Sequence, residues 1–131
     1  MYVVVVGSRE WQGEQADAQV NQLLNEISEK YSGAVIVTSS TDRGVGSIVQ
    51  KRCLKDRERF QLVDIQIRVF AQLPRAKLAQ VFFARNAALV EIGEEFHVFV
   101  DGNRKGAFED LIEKLHAAEQ QHPLFEHLWK D

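Results

Sequence analysis

Arginines stand where a chain can hold an anion. Arg9 follows Gly7 and Ser8, and Trp11 comes just after it. Arg43 closes the run Ser39, Ser40, Thr41, Asp42 and is followed by Gly44. Arg85, with Asn86, interrupts the otherwise apolar stretch VFFARNAALV. A further polar turn holds Asp101, Gly102, Asn103, Arg104, Lys105 and Gly106. Guanidinium groups recognise phosphate with a planar fork of donors. Small residues let a ligand approach the backbone, and free N–H groups at a following helix start favour an anion. Each turn alone has an ordinary explanation, since chains must turn after strands and most arginines are solvated. None matches the Walker phosphate loop or Gly-x-Gly-x-x-Gly. Their coincidence points to an anion or nucleotide pocket. Arg85 and Asn86 either face that pocket or lie on the wet side of their helix, because a buried arginine needs partners.

Other constellations carry less. His97 stands isolated in a strand pattern, and His116, His122 and His127 lie on or after the last helix without metal-ligand spacing, so no metal is expected. There is no Gly-x-Ser-x-Gly elbow around Ser39 or Ser40. Cys53 reads as a small core residue. Trp11 either stacks on a base or packs against the first helix.

The elements that must position these residues alternate. Tyr2–Val6 (YVVVV) and Ala34–Thr38 (AVIVT) are continuous apolar runs that predict strands buried on both faces. Phe60–Phe70 alternates, with Ile65, Ile67 and Val69 against Asp64, Gln66 and Arg68, which predicts an edge strand. Phe96–Val100 (FHVFV) is the fourth. Helical patterns fill the intervals at about 14–31, 46–55, 77–91 and 107–119, with Val81, Phe82, Leu89 and Val90 anchoring the third. The expected fold is α/β, a Rossmann-like three-layer α/β/α domain over residues 1–120 with a mainly parallel sheet of about four strands in the order 3-2-1-4. The tail 121–131, with Leu124, Phe125, Leu128 and Trp129, is expected to place a short helix on the body or on a partner. In such sheets ligands sit beyond the carboxyl ends of the strands, where strand order reverses, and the polar turns all follow strands.

Composition narrows the functions. The chain has 131 residues, enough for one domain, and a net charge of -3, so any nucleic-acid binding needs a local patch. One cysteine excludes an intramolecular disulfide framework. No signal peptide or bilayer-length apolar run is visible, which makes the cytoplasm the expected compartment.

Val5-Val6-Gly7-Ser8-Arg9 with Trp11 resembles the first strand and glycine turn of the SLOG superfamily, which includes the Lonely Guy proteins and the DNA-processing protein A domain. Thr41-Asp42-Arg43-Gly44-Val45-Gly46-Ser47 resembles that group's second turn. Phe83-Ala84-Arg85-Asn86 followed by Phe96–Val100 resembles its Arg-Asn helix and next strand, and Asn103-Arg104-Lys105-Gly106-Ala107 its last turn. The resemblance covers about Tyr2 to Ala118. It implies a short stand-alone Rossmann-like domain whose ligand lies near Gly7, Ser8 and Arg9, facing Arg43, Arg85 and Gly106. The chain departs from the pattern in having Ser39 and Ser40 for a double glycine. It also lacks the Pro-Gly-Gly before Gly106, and has Asp110 where the Lonely Guy enzymes carry a glutamate.

The leading expectation is non-catalytic binding of a nucleotide or nucleotide-derived, phosphate-bearing small molecule for sensing, sequestration or delivery. The enzymatic alternative that the resemblance implies is a nucleoside-monophosphate N-glycosidase, with Asp110 or Glu109 as acid/base. Weak single-stranded nucleic-acid binding along Arg9, Arg43, Arg85 and Arg104 is the third, disfavoured by the acidic total. No cofactor beyond a nucleotide-like ligand is expected. A homodimer is, with strand four and the apolar tail offering surface to the partner.

Overall fold

A computed structural model of the chain describes residues 1–67, 72–102 and 105–128. Its order is β1 (Tyr2–Gly7), α1 (Glu14–Lys30), β2 (Val35–Thr38), α2 (Val45–Lys55), β3 (Gln61–Asp64), α3 (Arg75–Ile92), β4 (Glu95–Val100), α4 (Ala107–Ala118) and β5 (Leu124–Leu128). The strands form one sheet in the order β3-β2-β1-β4-β5, every neighbouring pair parallel. The chain moves outward from β1 to β3 on one side, then returns to lay β4 on the other flank of β1. Right-handed crossovers therefore put α1 and α2 on one face and α3 and α4 on the other.

Period-two geometry divides the core between the two faces. Val3 and Val5 of β1 pack with Ile36, Phe99 and the buried stripe Ala16, Val20, Leu23, Leu24 and Ile27 of α1, joined by Val45, Val49 and Cys53 of α2. Val4 and Val6 turn the other way, onto Phe96, Val98, Leu89 of α3 and Leu111, Ile112 and Leu115 of α4. Strands covered on both faces are apolar at nearly every position, which is why YVVVV and, apart from His97, FHVFV have no alternation.

Three expectations need correction. The sheet has five strands rather than four, because the tail 124–128 is a strand, not a helix. Phe96 N–H donates to the Pro123 carbonyl at 2.9 Å, and from there the tail runs along β4. The apolar residues Leu124, Phe125 and Leu128 fit a helical stripe by spacing, but the open flank of β4 offered backbone partners that a helix would have left unpaired. It follows that β4 is an interior strand, buried throughout, and not a surface for a partner. Finally, β3 ends at Asp64 although the apolar alternation continues to Ile67. Its partner β2 stops at Thr38, and after Ile65 N–H donates to the Thr38 carbonyl (2.8 Å) there is no ladder left to join. The rest of that expected strand, Arg68 to Phe70, lies outside the described residues, as do Asn103, Arg104 and Trp129.

Among the described residues no helix is long and apolar enough to cross a membrane.

Candidate functional site

Beyond the carboxyl ends of β1 and β2, at the reversal of strand order, lies a cavity of about 310 Å³. Its apolar wall is Val6, Phe82, Leu89, Phe108 and Leu111. Its polar wall comes from the turns after β1 (Gly7, Ser8, Arg9, Glu10) and β2 (Ser39, Thr41, Arg43), from Arg85 on α3, and from Lys105 before α4. The first turns of α2 and α4 border it through Gly46 and Ala107, and neither helix has a capping side chain. The partial positive charge of both N-termini thus points at the same space.

The centre of this wall is Arg85, backed by Asn86, which does not itself line the cavity. Asn86 is fully buried. Its Oδ1 accepts from Arg85 Nε (3.1 Å) and Nη2 (3.0 Å), while its Nδ2 donates to the Ala107 carbonyl (2.8 Å) and to Asp110 Oδ2 (3.1 Å). One amide therefore holds the guanidinium with one end and the start of α4 with the other. Arg85 Nη1 donates to Ser39 Oγ (3.2 Å), and the guanidinium carbon lies 5.3 Å from the Phe82 ring centroid. Burial lowers the Arg85 pKa, because water is withdrawn from the charge. Its hydrogen-bond partners are a neutral amide and a hydroxyl, and no carboxylate among the described residues pairs with it. A half-buried guanidinium oriented on three nitrogens but uncompensated in charge is a place for an anion.

The other arginines are differently placed. Arg9 Nη2 lies 2.6 Å from Asp42 Oδ1, and Arg43 Nη2 lies 2.8 Å from Glu10 Oε1. Both pairs are exposed, at the mouth of the cavity. Asp42 is held below its ordinary pKa first by the Arg9 hydrogen bond, and the Arg43 pKa is raised by Glu10. An entering anion would exchange one exposed partner for another there, which exposed ion pairs allow at little cost. Glu10 was not among the sequence candidates, nor were the apolar wall residues, since nothing in their spacing separates them from core. Of the four arginines expected to form a strip for nucleic acid, Arg9 and Arg43 each meet an exposed carboxylate, Arg85 is half-buried in the cavity wall, and Arg104 lies outside the described residues.

Several other sequence candidates serve the frame, and of these only Gly7 and Ser8 also line the cavity. Trp11 is fully buried, edge-to-face on Phe99 with centroids 5.2 Å apart, so it cannot stack on a base. Ser8 is a junction: its Oγ donates to Asp101 Oδ2 (2.7 Å) and accepts from Glu10 N–H (3.0 Å), and its carbonyl accepts from Val45 N–H (3.2 Å). This ties the turns after β1, β2 and β4 together. Ser40 turns toward β3, donating from N–H and Oγ to Asp64 (2.8 and 2.5 Å). Gly44 has φ +88, and a Cβ there would stand 2.4 Å from Arg9 Cα. A Cβ on Gly7 would meet Val45 Cγ2 at 2.6 Å. Both glycines permit a close approach of chain on chain. Gly102 and Gly106 have positive φ and open space around a notional Cβ.

Neither acid/base candidate lines the cavity. Glu109 is exposed on α4. Asp110 accepts from Lys114 Nζ at 2.6 Å on each oxygen, besides the Asn86 contact. Partial burial raises its pKa, but the Lys114 and Asn86 hydrogen bonds outweigh this and hold it below the usual carboxylate value.

His97 is not isolated. Its Nε2 lies 2.9 Å from Glu95 Oε2, and its Nδ1 lies 3.0 Å from His127 Nε2; Tyr31 Oη donates to Glu95 Oε1 at 2.6 Å. With the Nε2 proton facing the carboxylate, Nδ1 accepts from His127. The chain Tyr31–Glu95–His97–His127 thus fastens β5 and α1 to β4. Among the described residues no group of His, Cys, Asp and Glu is arranged to hold a metal ion.

Comparison of the chain with protein-family models, with curated proteins and with solved structures returned no match.

Proposed function

We propose that the protein binds a nucleotide or nucleotide-derived, phosphate-bearing small molecule in this cavity, without transforming it, as a short stand-alone domain of the SLOG kind. The observation that carries the reading is Arg85, a half-buried guanidinium oriented by Asn86 and Ser39 with no carboxylate partner among the described residues. The first turns of α2 and α4 add N–H groups to the same wall. Phe82, Phe108 and Leu111 supply apolar surface for a base or sugar face. A cavity of about 310 Å³ is at the small end of ligand sites, which suits one mononucleotide. Asp110, the carboxylate that N-glycoside cleavage would use, lies outside the lining and is engaged by Lys114 and Asn86, so binding is favoured over hydrolysis.

Isothermal titration with AMP, adenosine and inorganic phosphate tests this. AMP should bind and adenosine should bind more weakly. Arg85→Gln should weaken AMP by roughly 10- to 100-fold, the worth of one charge-assisted contact of about 1.5–3 kcal/mol, and leave adenosine nearly unchanged. A panel of mononucleotides and cyclic nucleotides that all fail to bind, or AMP binding indifferent to Arg85→Gln, would refute the proposal.

A further inference from the structure

The sheet ends in an exposed strand whose outer side has its own symmetry. Because Phe96 N–H donates to the Pro123 carbonyl, alternation turns the backbone groups of Phe125 and His127 toward β4 and those of Leu124, Glu126 and Leu128 outward. Among the described residues β5 has no neighbour on that side. It also lacks the lysine or proline that commonly blunts an edge. Phe125 is 43% and Leu128 61% exposed. The opposite edge, β3, is shorter and carries Gln61 and Asp64 at its ends.

We propose that the outer edge of β5 pairs antiparallel with the same edge of a second copy, about a two-fold axis at Glu126. The segment Leu124–Leu128, LFEHL, has the same chemistry read from either end: leucine outermost, an aromatic ring next, glutamate at the centre. A two-fold axis through Glu126 sets Leu124 opposite Leu128 of the second copy, and Phe125 opposite its His127. Hydrogen-bonded pairs in an antiparallel ladder form between outward-facing residues, and this axis puts Leu124, Glu126 and Leu128 at the hydrogen-bonded positions and Phe125 and His127 at the non-hydrogen-bonded ones. The Glu126 carboxylate is held by its own helix, with His116 Nε2 2.6 Å from Oε1, so the two facing glutamates are each already engaged. An unrelated peptide would have no use for the palindrome, whereas an isologous contact requires self-complementarity. The result would be one continuous sheet across two copies, with both cavities open at strand ends away from the axis. The proposal does not depend on what the cavity binds.

The test is sedimentation equilibrium of the whole chain over a concentration series, with hydrogen exchange of the β5 amides. Wild type should dimerise, and the Glu126 amide should become protected as concentration rises. Among backbone donors Glu126→Pro removes an outward N–H alone, so β4–β5 pairing survives although the carboxylate contact to His116 is lost, and dimerisation should weaken at least tenfold. Leu128→Lys should do the same without a backbone change, which decides the matter should the proline variant fail to fold. A monomer at all accessible concentrations would overturn the proposal. So would a dimer that both folded variants leave intact, or a Glu126 amide that exchanges freely within the dimer.

Discussion

Asn86, just behind the cavity wall, should be worth more to this protein than any polar side chain in the wall itself. Replacing it with leucine keeps the branched shape and removes every hydrogen bond it makes. The Ala107 carbonyl loses a neutral bond of 2.8 Å, worth about 1 kcal/mol. Arg85 loses two contacts and Asp110 one, each of them charge-assisted. Asp110 keeps Lys114 at 2.6 Å and Arg85 keeps Ser39, so the lower end of the charged range applies, about 1.5 kcal/mol for each residue. The sum is about 4 kcal/mol, from which burying leucine's apolar atoms recovers about 1 kcal/mol. The net loss of about 3 kcal/mol, spread over an unfolding entropy of about 0.28 kcal/mol/K for a chain of this length, lowers Tm by about 10 °C. Thermal unfolding followed by circular dichroism reads this directly. Arg85→Gln supplies the contrast, because Arg85 lines the cavity while Asn86 anchors α4, and its Tm should fall by no more than about 3 °C, about 1 kcal/mol. A Tm within 3 °C of wild type for Asn86→Leu would show that the amide does not hold α4 to α3, and the account of the site's rigidity would fail with it.

Two further outcomes are expected. Gly44→Ala should cost more than about 3 kcal/mol, because φ +88 is combined with a Cβ 2.4 Å from Arg9 Cα, whereas Gly13→Ala, at φ +100 with open space, should cost about 1–2 kcal/mol; equal Tm losses would refute the close-approach reading. Burial, with His97 beside it, lowers the His127 pKa from its ordinary 6.5 to about 4, so the unfolded chain binds more protons in that window and stability should fall as pH drops from about 6.5 to 4. Screening at this partly exposed side chain reduces the effect to about 1 kcal/mol. Urea unfolding at pH 7.5 and 5.0 measures it, and His127→Gln, which keeps a donor for His97, should flatten the slope.

Strands covered on both faces leave a direct signature, and β1, β2 and β4 were legible for that reason: nearly every position had to be apolar, and the buried exceptions Thr38, Glu95 and His97 are each hydrogen-bonded. Edge elements obey weaker rules. The length of β3 was fixed by where β2 stopped, at Thr38, a fact of the neighbour and not of the segment 60–70. The tail had residues compatible with either periodicity over only five positions, and the vacant side of β4 decided it. The site divides along the same line. That Gly7, Ser8, Arg9, Ser39, Thr41, Arg43, Arg85 and Lys105 meet around one cavity follows from turns that all leave the same end of a parallel sheet. Which arginine faces an anion does not follow. Arg9 and Arg43 found Asp42 and Glu10, two carboxylates from adjacent turns, and only folding brings those within 3 Å. Trp11 was indistinguishable in sequence from a stacking platform because an aromatic ring after a glycine turn suits either place.

The close contact of the turns also bears on the proposed anion site, because the fold itself holds the donors in place. Ser8 joins the turn after β1 to Asp101 after β4 and to Val45 at the start of α2, and Asn86 joins α3 to the start of α4. Donors fixed in this way do not need to be ordered on binding, so little conformational entropy remains to be lost. The arginines at the mouth are arranged oppositely, with exposed carboxylate partners that can be exchanged. A negatively charged ligand would thus meet exchangeable charge at the entrance and fixed charge at the floor. Affinity should accordingly depend on salt through Arg9 and Arg43, whose pairs are exposed and screened, and much less through Arg85, which is recessed.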